Sequence, residues 1–123
     1  MEWTYSQTTG NLIDPSGEIV GQGYSGNGAD LDNPAGQADV GHGPIPQGAW
    51  TIGTFFDDPG GKGPIVAHLT PNTGTDTLGR PGFMIHGDNS AANHTASHGC
   101  IILSHTLRCL IRDSGVKQLI VTA

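Results

Sequence analysis

Two side chains in this sequence stand out for chemistry because of their setting. Cys100 ends the run Ser97-His98-Gly99-Cys100 and leads into the apolar stretch Ile101-Ile102-Leu103. His86 ends the apolar run Phe83-Met84-Ile85 and is followed by Gly87. Two short apolar runs bounded by Gly, Asn and Asp read as strands joined by a loop, which puts a thiol and an imidazole at the mouths of neighbouring strands. That is the pattern of a cysteine nucleophile with a histidine base, adjacent in space rather than along the chain. A free thiol titrates near pH ~8.5 and is only slightly ionised at neutral pH. An imidazole beside it stabilises the thiolate as an ion pair or takes its proton during attack. Attack on an amide builds negative charge on oxygen, and the backbone amides of His98, Gly99 and Cys100 are placed to supply donors for it. Gly99 can take φ > 0, which lets successive N–H groups point the same way. Ser97 braces this turn or bonds the imidazole.

Each assignment has a structural counterpart. An isolated cysteine is more often a packed core residue than a nucleophile; here the Ser-His-Gly frame and the facing His-Gly strand end favour catalysis. His98 is a weaker candidate for the base than for a structural or cleft-lining group. Asp88, two residues from His86, pins the loop rather than completing a triad. His94 and His105 read as solvent-facing and Ser104 as a helix cap, while His42 and His68 carry no usable signal. A zinc site built from His86, His94, His98 and Cys100 has enough N and S ligands. His94 and His98 have i, i+4 spacing, yet the residues between them make a poor helix and include no general-base Glu. Tyr24, Ser25 and Arg80 are candidates to line a substrate groove. The counter-readings are packing for Tyr24 and a solvated loop charge for Arg80.

Strands and turns must position these groups. Residues 2–6 alternate large and polar, with Trp3 and Tyr5 on one face. Residues 11–13 and 18–20 flank Asp14-Pro15-Ser16-Gly17, where Pro presets φ and Gly tolerates φ > 0, so a hairpin is expected. Residues 21–48 are rich in Gly, Asn, Pro and Asp with almost no apolar periodicity. A loop that long in a small domain is usually functional, and it is read here as a wall of the active cleft. Strand character returns over residues 50–56. A turn covers residues 57–63, another strand covers residues 64–69, and residues 70–80 are loop. After the cysteine strand comes a helix: Ser104 suits its N-cap, Leu107, Leu110 and Ile111 fall at i, i+3, i+4, Arg112 suits the last turn and Gly115 the C′ position. Residues 116–121 form a final strand. The expected architecture is one mainly β domain over residues 1–123 with one or two short helices.

Composition narrows the function classes. A chain of 123 residues buries about 60–70% of its unfolded surface, enough for one core. Twenty Gly and eight Pro without a period punctuate short apolar runs, as in a loop-rich β protein rather than a disordered one. The net charge is −6 and the basic residues number five, Lys62, Arg80, Arg108, Arg112 and Lys117. They form no basic patch for nucleic acid and no run for an anionic membrane surface. No apolar stretch approaches a membrane span. The start, Met1-Glu2-Trp3, lacks the basic and apolar regions of a signal peptide, so synthesis in the cytoplasm without a cleaved leader is expected. The cysteines, Cys100 and Cys109, permit a disulfide, but their flanks imply different uses. Cys109 lies in an apolar helical pattern and reads as a small buried residue.

The run His86-Gly87, a loop, then Ser97-His98-Gly99-Cys100-Ile101 resembles the signature of the L,D-transpeptidase catalytic domain, which acts on peptidoglycan stem peptides. Trp3-Thr4-Tyr5-Ser6, Gly23-Tyr24-Ser25-Gly26, Gly43-Pro44-Ile45-Pro46-Gln47-Gly48 and Ile85-His86-Gly87-Asp88 resemble the narrower branch of L,D-transpeptidase-like toxins delivered by type VI secretion. The housekeeping enzymes usually carry Arg two residues after the cysteine, where this chain has Ile102. The resemblance implies a β-sandwich or partly closed barrel. It implies that the Gly87 carbonyl holds the His86 ring and that no metal or organic cofactor is needed. Cys100 would attack the third residue of a tetrapeptide stem and expel the terminal D-Ala. The thioester would then pass to water, a D-amino acid or another stem's amine, with Tyr24, Ser25, Asp88 and Arg80 along the groove and the Arg facing a stem carboxylate. It also implies export by the secretion machinery, action in the target-cell periplasm, and a cognate immunity protein. A zinc-dependent peptidase and a non-catalytic cell-wall binding module, using its polar loop and aromatic residues for glycan stacking, are the competing readings.

Overall fold

The alternation at the start of the chain is realised in β1 (Trp3–Ser6), where Trp3 and Tyr5 are buried and Thr4 and Ser6 half-buried. The computed structural model describes residues 1–58, 63–88 and 96–123. His94 and part of the turn expected over residues 57–63 lie outside the described residues.

β1 runs antiparallel to β2 (Asn11–Ile13), which pairs with β3 (Ile19–Gln22) as the expected hairpin. The Asp14 carboxylate fastens its turn by accepting from the amides of Ser16 and Glu18, both at 3.0 Å, and those bonds hold its pKa below the ordinary carboxylate value, the Ser16 hydroxyl contributing most. On its other side β1 lies parallel to β10 (Gln118–Thr122). The sheet continues through β5 (Gly48–Ile52), β7 (Gly63–Pro71), β8 (Met84–His86) and β9 (Ile101–Ile102) to β4 (Tyr24–Ser25), with β6 (Phe56–Asp58) paired to β7. The fold is mainly β, in one mixed sheet ordered β3-β2-β1-β10-β5-β7-β8-β9-β4, with one α-helix among the described residues.

The two ends of that order, β3 and β4, are consecutive in the chain with only Gly23 between them. The sheet therefore curls until one residue of backbone joins its edges. No ladder pairs β3 with β4, so it is not closed into a barrel. Gly23 makes this curl possible: a Cβ there would lie 2.1 Å from the Ile102 carbonyl oxygen of β9.

The helix α1 (His105–Ser114) has the expected ends. Ser104 Oγ accepts from the Leu107 amide at 3.2 Å, and Gly115 closes it at φ 69° in the left-handed region that glycine enters without a Cβ penalty. Its packed face differs from expectation. Leu107, Arg108 and Ile111 are buried, whereas Leu110 is exposed and Cys109 half-buried.

Three other expectations are corrected. The strand read over residues 50–56 breaks at residues 53–55, and Asp57 and Asp58 extend β6 rather than opening a turn. The long loop contains β4, a two-residue strand that carries no periodic signal, and two 3-10 turns, Gly28–Asp30 and Pro34–Gly36.

Gly23→Ala is expected to destabilise the fold by about 2–4 kcal/mol, because backbone rather than a side-chain tip blocks the new methyl. Urea unfolding of the two proteins measures this, and an unchanged midpoint would contradict the close approach of the β3–β4 junction to β9.

Candidate active site

β8 and β9 run parallel, with Ile85 opposite Ile101 and His86 opposite Ile102. Side chains alternate faces along a strand, so this register puts Ile85 and Ile101 on one face and His86 and Ile102 on the other. Position 100, two residues before Ile102, returns to the same face as His86. Ile85 and Ile101 join the main core, and Cys100 and Ile102 join a second cluster with Tyr24, Val66 and Met84. Cys100 and His86 both line one groove of about 270 Å³, whose walls include Val40 and Gly41 of the long loop together with Arg80, Gly82 and His98. The Cys100 thiol donates to the Gly82 carbonyl at 3.7 Å, and Cys100 and Cys109 are not joined in a disulfide.

His86 is 3% exposed. Its Nδ1 lies 2.7 Å from the Gly87 carbonyl oxygen. A carbonyl only accepts, so Nδ1 carries a proton, and in the neutral ring Nε2 is then the nitrogen with the lone pair. The role that the resemblance gave to Gly87 thus has a matching contact.

The turn before Cys100 is braced from below. Ser97 is fully buried; its hydroxyl donates to the Cys100 carbonyl at 2.6 Å and accepts from the amides of Gly26 at 2.9 Å and Gly99 at 3.2 Å. Of the two roles weighed for Ser97, bracing is the one its contacts fit. Gly99 stands at φ 131°, and a Cβ there would lie 2.5 Å from Arg80 Nη2. The Gly99 amide, one of the three expected to face a developing oxyanion, turns to Ser97 instead.

Ser25 does not face the groove. It is fully buried and donates to the Cys100 carbonyl at 2.9 Å while accepting from the Ile45 amide at 2.8 Å. Tyr24 is buried except at its hydroxyl end, which donates to Asp88 Oδ1 at 2.6 Å and accepts from the Ala96 amide at 3.2 Å. Burial first, and then the Asp88 bond, push its pKa up to about 12, so it stays a neutral donor at physiological pH. His98 is exposed and its Nδ1 faces the Gly41 carbonyl at 2.9 Å, which ties it to the long loop.

Arg80 is in the groove wall and is not the solvated loop charge of the counter-reading. It is 4% exposed. Nη1 donates to the carbonyls of Gln37 at 2.6 Å and Pro44 at 2.7 Å, and Nη2 to those of Gly43 at 2.8 Å and His98 at 3.1 Å. Its Nη hydrogens are thereby committed to backbone, clasping the long loop to the cysteine turn. Burial lowers its pKa, opposed by Asp39, Asp30 and Cys100, and a guanidinium stays charged through such shifts. Asn27, absent from the sequence reading, completes the clasp by donating to the Ser97 carbonyl at 2.7 Å and the Gly41 carbonyl at 3.0 Å. It was one polar residue among many in a loop without periodicity.

His94, one of the four residues of the zinc reading, lies outside the described residues; among the described residues no cluster of three His, Cys, Asp or Glu could hold a metal.

The family model of the Tlde1 domain matches residues 20–120. The chain belongs to the Tlde1 domain family. These are type VI secretion effectors of the L,D-transpeptidase kind, with peptidoglycan-related activity, so the narrower of the two resemblances holds. The family's effectors are secreted into target cells. The match spans both walls of the groove and the whole of β8 and β9. No curated protein matches the chain. Among the described residues, no helix is long and apolar enough to cross a membrane.

Arg80→Met leaves four carbonyl oxygens without their donor and is expected to cost more than about 3 kcal/mol of stability in denaturant unfolding. A loss under about 1 kcal/mol would mean that water replaces the guanidinium freely and that Arg80 is not the clasp.

Proposed function

We propose that this chain is a cysteine acyltransferase of the bacterial cell wall, acting on the tetrapeptide stems of peptidoglycan as an antibacterial effector. The observation that supports it is the shared groove. A thiol outside any disulfide and an imidazole whose protonated nitrogen is pinned by a carbonyl line one opening, on one face of two adjacent strands.

In the first step Cys100 Sγ attacks the carbonyl carbon of the third stem residue, and the thiol proton passes to His86 Nε2. The negative charge that develops on the carbonyl oxygen faces the amides of His98 and Cys100, the Gly99 amide being held by Ser97. A lost donor at such a position costs about 2.7–4 kcal/mol of transition-state stabilisation. Collapse breaks the C–N bond, His86 returns the proton to the departing amine, and D-Ala leaves. The thioester then passes to water, giving a tripeptide, or to an amine, giving exchange or a cross-link; His86 takes the proton from the incoming group. Every bond made or broken is served by these side chains without a cofactor. In this reading Ser97, Ser25 and Arg80 are positioning residues, since their hydrogen bonds go to the backbone of the cysteine turn and the long loop.

The same reading places the site of action in the periplasm of a target cell, reached through the secretion machinery. A producer would then need an immunity protein that covers the groove.

Incubating the protein with purified muropeptides and following masses tests the proposal. Loss of one D-Ala, or its exchange for an added D-amino acid, is expected. Cys100→Ala or His86→Ala should lower turnover by more than about a thousandfold, and a chelator should leave it unchanged. Unaltered stems from well-folded protein would overturn the proposal. Loss of activity in chelator would point to the zinc peptidase, and full antibacterial effect from Cys100→Ala to a binding module.

A further inference from the structure

Arg108 on α1 is only 6% exposed, yet it has no carboxylate partner. The ion pairs among the described residues are Met1 with Glu2 and Arg112 with Asp113. Arg108 Nε donates to the Ser104 carbonyl at 3.3 Å, and Nη1 to those of Pro64 at 2.6 Å and Ile65 at 3.4 Å. Nη2 makes no hydrogen bond with a described residue. It is not sealed away either, because the only fully buried side-chain N or O without a partner among the described residues is Tyr5 Oη. The remaining Nη2 hydrogens therefore meet solvent.

Arg108 lines a second groove of about 320 Å³, together with Gly23, Tyr24, Asp88, Ile102 and His105. The two grooves are linked through bonded neighbours, the Tyr24 hydroxyl of this one accepting from the amide of Ala96 in the wall of the first. Tyr24 belongs both to its wall and to the cluster beneath Cys100. Gly87, whose carbonyl orients His86, packs on Arg108 so closely that a Cβ there would lie 2.9 Å from Nη2. Burial lowers the Arg108 pKa against a smaller opposing influence from Cys109, and the guanidinium remains charged. A planar cation held by three of its hydrogens, with the others turned to an open groove, suits a carboxylate.

We infer that this second groove is a carboxylate-binding subsite, with Arg108 Nη2 as its donor, for the substrate that reacts at Cys100. The identity of the ligand rests on the peptidoglycan reading above. Its carboxylate comes from the stem peptide or from an incoming free amino acid. Either source would carry the charge that Arg80, with its Nη hydrogens held by carbonyls, cannot receive.

The test measures binding without turnover, by calorimetric titration of Cys100→Ala protein. The probes are a disaccharide tetrapeptide, the same compound with its carboxylates amidated, and free D-alanine. Amidation is expected to weaken binding about tenfold, as loss of one charge-assisted contact would. In Cys100→Ala/Arg108→Gln protein the native and amidated compounds should bind alike. If D-alanine rather than the stem responds to Arg108→Gln, the amino acid is the source. Thermal melting checks that the variant is folded; if it is not, Arg108→Lys, which keeps the charge but not the planar fork, should show the same shrinking of the amidation contrast. An amidation contrast undiminished by the Arg108 variant together with unchanged D-alanine binding, or no response from any probe, overturns the subsite. An intact contrast in a protein that turns over no muropeptide would sink the cysteine reading and leave the subsite standing.

Discussion

The structure depends on the parallel register between β8 and β9. Because strand side chains alternate with period two, pairing Ile85 with Ile101 sends both isoleucines into the main core and turns His86 and Cys100 to the opposite face. A slip by one residue would bury one of the reactive groups in the core and set an isoleucine in the groove. Burial of the isoleucines is therefore the restraint that keeps thiol and imidazole together. Each buried side chain of that size contributes about 1.5–3 kcal/mol relative to exposure, more than a single polar contact in the groove could offset.

Beneath this apolar restraint lies a polar one. The cysteine turn has no regular secondary structure, and its backbone groups are satisfied by side chains buried below it. Ser97 and Ser25 both donate to the Cys100 carbonyl. Arg80 and Asn27 join the turn to the long loop through carbonyls on each side. Such a network is rigid when complete and expensive when one member is lost. It explains how a loop with two short 3-10 turns and no periodic apolar residues can form a wall of the groove.

Much of this was legible in the sequence where local chemistry decides the outcome. The hairpin at Asp14 to Gly17, both ends of α1, and the placement of Cys100 and His86 at neighbouring strand ends follow from turn residues, caps and apolar runs. Tertiary contacts decide the rest. Ser25 and Ser97 look alike in sequence, and only the coordinates show that both lie beneath the turn. Arginine is seldom buried, and nothing local in the sequence announces that Arg80 and Arg108 are each held by carbonyls from segments distant in the chain. β4 is two residues long and exists because β9 lies beside it. The exposed Leu110 and buried Arg108 exchange the places that helical periodicity alone would assign.

The central claim is that Cys100 and His86 act as one chemical unit in an open groove. Its most direct measurement is the rate of Cys100 alkylation by iodoacetamide at neutral pH, in a Cys109→Ser background, with and without His86→Ala. If the imidazole promotes the thiolate, removing it should slow alkylation at least about tenfold. Equal rates in the two proteins, with folding intact, would contradict the account.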